Sequence, residues 1–424
     1  MIWGDRKTEP GRSLFLSIVE GSFWAIYAAI IGVGSALLTG YALALGANDF
    51  QIGLLTGMGT IATIGAVAGA WWLGRRSNRK SMMMEALTLS RSIWLVLCLL
   101  PFLPLPPGVR LYVLFGVVLV SVMAGVFADT AWMSWMTDLV PAAIRGRYFS
   151  WRNSILGTIG MVGVYGAGCV CDWLKGSMDP ASAFLPLFVF AVACATVSTI
   201  ILARVWEPPL HGEHPLALRQ LLVLPFLHRP FRHLLLVCGL WTLVTGIATP
   251  FFPTQMIKYL HMSYSMIGLY AAMAGLATLV VQPFWGQLID RIGNRPVLMI
   301  NVIGVTTLPL YWFFARPDFL LPIWINAVMS GIFWPGIALT TFNLAMITAP
   351  RQSRSAYLAS YRLVAGVAAF VAALSGGWLA QWLQGFSFDF AGQTLGNYHV
   401  VFAVSFFGRF LLWPMIGRLQ EERG

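Results

Sequence analysis

Apolar stretches long enough to cross about 30 Å of hydrocarbon recur along the whole chain, and they leave few folds open. In lipid a backbone must satisfy its own hydrogen bonds, so a spanning segment is a helix or a strand of a closed barrel. Barrel strands would alternate apolar and polar residues over about ten positions, and no such alternation is evident. The expected fold is therefore an all-α membrane protein with twelve transmembrane helices, roughly 14–45, 50–73, 81–101, 110–140, 148–173, 183–205, 232–257, 264–289, 296–315, 319–348, 355–383 and 398–417. Composition agrees: 58% of the 424 residues are hydrophobic and 10% are charged, against roughly a quarter charged in a soluble domain.

The chain also repeats itself over about half its length. Val122-Met-Ala-Gly-Val-Phe127 returns as Val328-Met-Ser-Gly-Ile-Phe333, 206 residues on. A second echo sets Ile52-Gly-Leu54 against Ile267-Gly-Leu269 at an offset of 215. Two related halves that each span the membrane several times imply a substrate site between them. The halves are taken as two pseudo-symmetric six-helix bundles, 1–205 and 230–424, joined by a cytoplasmic linker, 206–229, with a surface helix near Leu216–His228.

The net charge of +11 is a topology signal rather than a nucleic-acid footprint. With both termini on one side, 19 of the 27 Lys and Arg fall in loops and tails on that side. Four, Arg110, Lys175, Lys258 and Arg316, fall on the other, and Arg91, Arg152, Arg362 and Arg409 lie within spans. This bias makes both termini cytoplasmic, with some contact to anionic membrane lipids. The five cysteines all lie in apolar spans, which argues for packing rather than disulfides. No metal site, cofactor motif, cleavable signal peptide or ATP-binding Gly-x-x-x-x-Gly-Lys-Ser/Thr loop is expected.

Gly286-Gln-Leu-Ile-Asp290-Arg291-Ile-Gly293-Asn-Arg295 sits between the eighth and ninth spans. It resembles the loop signature of the major facilitator superfamily, a glycine, then Asp-Arg, then Gly-x-Arg. The first-half counterpart, Gly74-Arg75-Arg76-Ser77-Asn78-Arg79, has glycine where the aspartate would be. Asp138-Leu-Val-Pro141 followed by Arg145-Gly-Arg147 is similar to the fourth-span exit of that superfamily. The resemblance covers essentially the whole chain and is closest to poorly characterised bacterial members. It implies a bacterial inner membrane and a transporter rather than an enzyme. It also implies a central cavity lined by the first, fourth, seventh and tenth spans and their neighbours, the second, fifth, eighth and eleventh.

Two sets of residues are singled out. The loop charges form a candidate cytoplasmic gate, since carboxylate–guanidinium contacts across the halves would exchange for water on opening. Asp290 is expected to pair with Arg351 or Arg354, and Asp138 with Arg75 or Arg79; Arg145, Arg147, Gly286, Arg291, Gly293 and Arg295 complete the set. Ionisable residues at membrane depth form the second. Asp129 is the first candidate proton carrier and Glu20 the second, because a low-dielectric cavity favours a neutral carboxyl. Arg152 and Arg362 occupy corresponding places in the fifth and eleventh spans and would line the substrate cavity with Trp132, Met136, Trp241, Gln255, Gln282, Trp334 and Asn343. Arg91 and Arg409 fall on spans expected at the periphery, where structural pairing or snorkelling is the expectation.

These residues point to a monomeric secondary transporter that uses protons and moves a small amphipathic or apolar solute, outward by preference. Sugars are disfavoured, because each buried hydroxyl wants a polar partner and the expected cavity has few. The competing readings are a non-transporting receptor or scaffold and a membrane-embedded enzyme. The scattered histidines give the latter no catalytic constellation.

Overall fold

The computed structural model describes residues 8–63, 65–66, 69, 79–208, 223–350, 353–390 and 393–419. Among these, eleven helical segments are long and apolar enough to cross a membrane, and all lie close to expected spans. The remaining expected span, 50–73, is described over Asp49–Ile61 and a few residues beyond. The chain is a multi-pass, all-helical membrane protein, with one small hairpin as its only sheet among the described residues.

In chain order the helices are α1 (Glu9–Ile31), α2 (Ala36–Ala44), α3 (Asp49–Ile61), α4 (Arg79–Ser92), α5 (Leu95–Leu99), α6 (Pro107–Leu139), α7 (Arg145–Lys175) and α8 (Leu185–Ala203). They continue with α9 (Leu224–Leu227), α10 (Arg229–Gly246), α11 (Phe251–Lys258), α12 (Tyr264–Ile292), α13 (Asn294–Thr307), α14 (Leu321–Thr348), α15 (Arg354–Trp382) and α16 (Asn397–Ile416). Of the expected linker helix, only the single turn α9 and the residues around it are described; 209–222, with His211 and His214, lie outside.

Local chemistry sets the ends. The first span is two helices, because Gly34 takes a φ of 90° and Ser35 restarts the chain by accepting the Leu38 N–H at 3.2 Å. Asn48 and Gln51 cap α3 reciprocally at 2.9 Å each. Gly293 alone joins α12 to α13 with a φ of 91°, which explains the glycine at that place in the loop signature. Thr8 accepts the Gly11 N–H to open α1. The loop 384–397 contains an antiparallel hairpin, Ser387–Phe390 with Gln393–Gly396, that the sequence did not announce.

The chain divides into two compact units whose borders differ from the simple halves. One comprises residues up to Ala47, Ala62–Pro215 and Ser263–Leu269; the other comprises Asn48–Ile61, Leu216–Met262 and Tyr270 onward. Each unit thus includes a piece of the opposite half of the sequence. In the first unit α1 packs on α7 and α8, and α4 on α6, around Leu14, Met83, Trp135 and Tyr148. In the second α3 runs along α15, α10 also packs on α15, and α13 packs on α14, around Phe231, Val305, Leu344 and Tyr357.

The exchanged pieces seat through glycines. A Cβ on Gly377 of α15 would stand 3.2 Å from the Gly53 Cα of α3. A Cβ on Gly268 of α12 would stand 2.8 Å from the Tyr165 Cα of α7. Gly53 and Gly268 are the central residues of the Ile-Gly-Leu echo. The echo therefore marks two equivalent close helix crossings, of the small-residue kind that lipid-embedded helices favour.

Candidate functional site

Four helices of the first unit bring charge together at membrane depth. Glu20 of α1 is 4% exposed. Ser198 of α8 donates to its Oε1 at 2.7 Å. Arg91 of α4 lies 3.7 Å from Oε1, and Arg152 of α7 lies 3.7 Å from Oε2. Arg91 also donates to the Ala195 carbonyl at 2.9 Å and to Thr199 Oγ1 at 2.5 Å. Of the two outcomes expected for Arg91, it takes structural pairing: α4 turns it onto Glu20, where carboxylate, carbonyl and hydroxyl replace the water it would otherwise seek.

Arg152 is held differently. Its guanidinium lies 4.7 Å from the centre of the Trp132 ring of α6, in cation–π range. No hydrogen bond from any of its nitrogens is formed among the described residues, and its Nε is fully buried without a partner. A Cβ on Gly21 would stand 2.7 Å from Arg152 Nη2, so the glycine after Glu20 makes the space the guanidinium occupies. Asp129 is exposed on α6 and forms no ion pair within 4.0 Å among the described residues, although it interacts electrostatically with Arg91 and Glu20. It sits one turn before Trp132, on the same helix face.

Arg362, the expected counterpart of Arg152, is exposed on α15 and has no ion pair among the described residues. The second unit instead buries Arg409 of α16, 1% exposed, with Nη1 donating to the Val305 carbonyl at 2.8 Å. Here too the arginine pairs structurally and does not snorkel. Val305 and Arg409 follow Arg91 and Ala195 by the same 214 positions. Each unit therefore has one arginine–carbonyl tie between equivalent helices, with the arginine on opposite partners.

The other expected cavity residues divide in two. Met136 is 1% exposed and accepts from Ser17 at 3.7 Å, Trp241 is 7% exposed in the second core, and Gln255 is 1% exposed against His399 at 3.3 Å. All three are packed inside their units. Gln282 and Trp334 are exposed, and half-buried Asn343 donates to Asn294 at 3.0 Å. A cavity of about 500 Å³ in the second unit is lined by Phe313, Phe314, Phe319, Phe406, Phe407 and Arg316 among others, and no expected site residue contributes to it.

The loop charges are mostly tied up locally. Arg79 is 1% exposed and pairs with Asp138 at 2.5 Å and with Glu207, which the sequence reading missed, at 3.3 Å. Asp138 with Arg79 is one of the two pairings expected, and all three residues belong to the first unit. Arg145 caps the end of α6 by donating to the Thr137 carbonyl at 2.8 Å. Arg147, Asp290 and Arg291 are exposed, and Gly286 is half-buried. Asp290 makes no ion pair with Arg354 or any other described residue, and Arg354 Nε is buried without a partner. Arg295 donates to the Gly417 carbonyl. Arg75 and Arg351 lie outside the described residues.

Two clusters escaped the sequence reading. In the second unit Asp49, 6% exposed, accepts from Tyr398 at 2.6 Å, Asn397 at 2.9 Å and Lys258 at 3.1 Å. In the first, Asp172 of α7 accepts the Tyr264 and Ser265 N–H groups at 2.8 Å each, and Lys175 Nζ lies 4.3 Å from the centre of the Tyr264 ring. Asp49 and Tyr264 are 215 positions apart, the offset of the glycine echo. The one advance signal was that Lys175 and Lys258 are half of the four basic residues on the expected outer side.

Residues 234–422 match the family model of the Major Facilitator Superfamily. Similar solved structures span nearly the whole chain. A point mutant of the nucleoside transporter NupG is 11% identical, with 98% of this chain and 100% of that one covered, at a TM-score of 0.72. A bacterial homologue of the iron transporter ferroportin in an inward-facing state is 13% identical over 96% and 98%, at 0.68. A D-xylose–proton symporter is 15% identical over 98% and 99%, also at 0.68. The second half of the chain thus matches the Major Facilitator Superfamily by sequence, and the whole chain shares its fold with these solved transporters.

Proposed function

We propose that the chain is a secondary active transporter moving a small amphipathic solute by alternating access, driven by protons and directed outward across a bacterial inner membrane. The working unit is a monomer of twelve helices in two six-helix bundles, with the linker near 206–229 and both termini cytoplasmic. The observation that carries this reading is the buried charge cluster on α1, α4, α7 and α8: Glu20 between Arg91 and Arg152, with Asp129 nearby and in no ion pair among the described residues. Buried charge at membrane depth is costly and persists where it serves passage of solute or ions. Asp129 is the proton carrier, because it can change charge without breaking an ion pair. Glu20 is the counter-ion that holds two arginines in place. The proton named with one of the similar structures, the D-xylose–proton symporter, supports the choice of coupling ion.

The test is a proteoliposome assay with a pH dye inside, in which lipophilic cations, organic acids, sugars and amino acids are added in turn. A transported solute should move protons with it, and Asp129→Asn should keep solute binding while losing the proton signal. Transport that is unchanged when an ionophore collapses the pH gradient would sink the coupling.

A further inference from the structure

We propose that Arg152 is the docking point for a carboxylate on the transported solute and that Trp132 carries the flat apolar body beside it, so that the solute class is aromatic organic anions. This rests on the transporter reading above and adds the chemistry of its solute. Arg152 is 7% exposed, yet no hydrogen bond from its guanidinium is formed among the described residues. Its nearest carboxylate oxygen, on Glu20, is 3.7 Å away, beyond hydrogen-bond length. A guanidinium out of water with its donors unfilled is costly, and a planar oxyanion fills two of them at once.

Three further features fit. Glu20 is already engaged by Ser198 at 2.7 Å and shared with Arg91, which leaves Arg152 the less committed cation. Gly21 clears the guanidinium's position, where a Cβ would stand 2.7 Å from Nη2 and 2.8 Å from Leu156. The Trp132 ring fixes the guanidinium plane at 4.7 Å and is only half-buried, so aromatic surface continues past the cation. Arg362, the other span arginine that makes no hydrogen bond among the described residues, is exposed and has no such cradle.

The experiment uses the purified full-length protein in detergent with matched probes: benzoate, 1-naphthoate and indole-3-acetate, their amides, and benzylamine. Binding is read by calorimetry and by tryptophan fluorescence. At least one carboxylate should bind about tenfold or more tighter than its amide, a difference worth one charge-assisted contact. Arg152→Gln should erase that difference, Arg152→Lys should keep part of it, and Trp132→Ala should weaken the carboxylate and the amide alike. Arg316→Gln, on the outer loop, should bind as wild type does. If Arg152→Gln does not fold, the Arg152→Lys and Trp132→Ala responses decide the matter. No carboxylate binding, an amide or amine binding equally well, or unchanged binding in Arg152→Gln would overturn the assignment. Transport of benzylamine instead would remove the anion and keep the transporter. Carboxylate binding without flux in vesicles would remove the transporter and keep the site.

Discussion

Arg91 and Arg409 make the same kind of contact in two units and face different consequences when lost. Arg91 answers Glu20, so Arg91→Leu leaves a buried carboxylate with one cation fewer and should cost about 3 kcal/mol. Arg409 has a carbonyl partner and no ion pair among the described residues, so Arg409→Leu should fall within about 1 kcal/mol of wild type. Denaturant titration of the detergent-solubilised variants compares them, and equal losses would contradict this account. Asp138→Asn should cost about 1–2 kcal/mol in the same assay, because Glu207 still holds Arg79 at 3.3 Å. The sequence marked Glu20, Arg152 and Asp129, since charge inside an apolar run stands out. It did not show which way each helix turns its face, so the burial of Met136, Trp241 and Gln255 inside their units had no advance signal. The arginine–carbonyl ties were invisible for another reason. A repeat search aligns like with like, and here the arginine has changed helices.

The spans were legible almost to their ends because hydrocarbon thickness and backbone satisfaction leave little freedom in length. The exchange of α3 and of the first turns of α12 was not legible as such, although the Ile-Gly-Leu echo marked where it happens. Gly53→Leu should force α3 off Gly377, and Gly268→Leu should force α12 off Tyr165, each at about 1–3 kcal/mol of overpacking. Because the two sites share no partners, the double variant should lose the sum to within about 0.5 kcal/mol. Melting curves of the two singles and the double measure this, and a large departure from the sum would show the two crossings to be coupled. The hairpin at 387–396 lay in a loop whose apolar alternation was too short to notice.

For the protein as a working unit, Glu20 and Asp129 should separate stability from transport. Glu20→Gln strips two arginines of their shared counter-charge and should destabilise by about 3 kcal/mol. Asp129→Asn should change stability by less than about 0.5 kcal/mol, while abolishing solute flux driven by an inward pH gradient. Equal melting temperatures for the two variants, or full pH-driven flux in Asp129→Asn, would reverse these roles. The exchanged segments also bear on how the chain is made. Domains emerging from a ribosome generally fold as units, the N-terminal one first. Here the first unit needs Ser263–Leu269, and Asp172 finds its N–H partners only once the chain has been threaded past its seventh span. The helix Asp49–Ile61 waits longer still, for Arg354–Trp382. Early helices must therefore sit in the bilayer with unmet neighbours while translation continues, and a nascent chain stalled after the sixth span is a substrate for quality control, not a finished bundle.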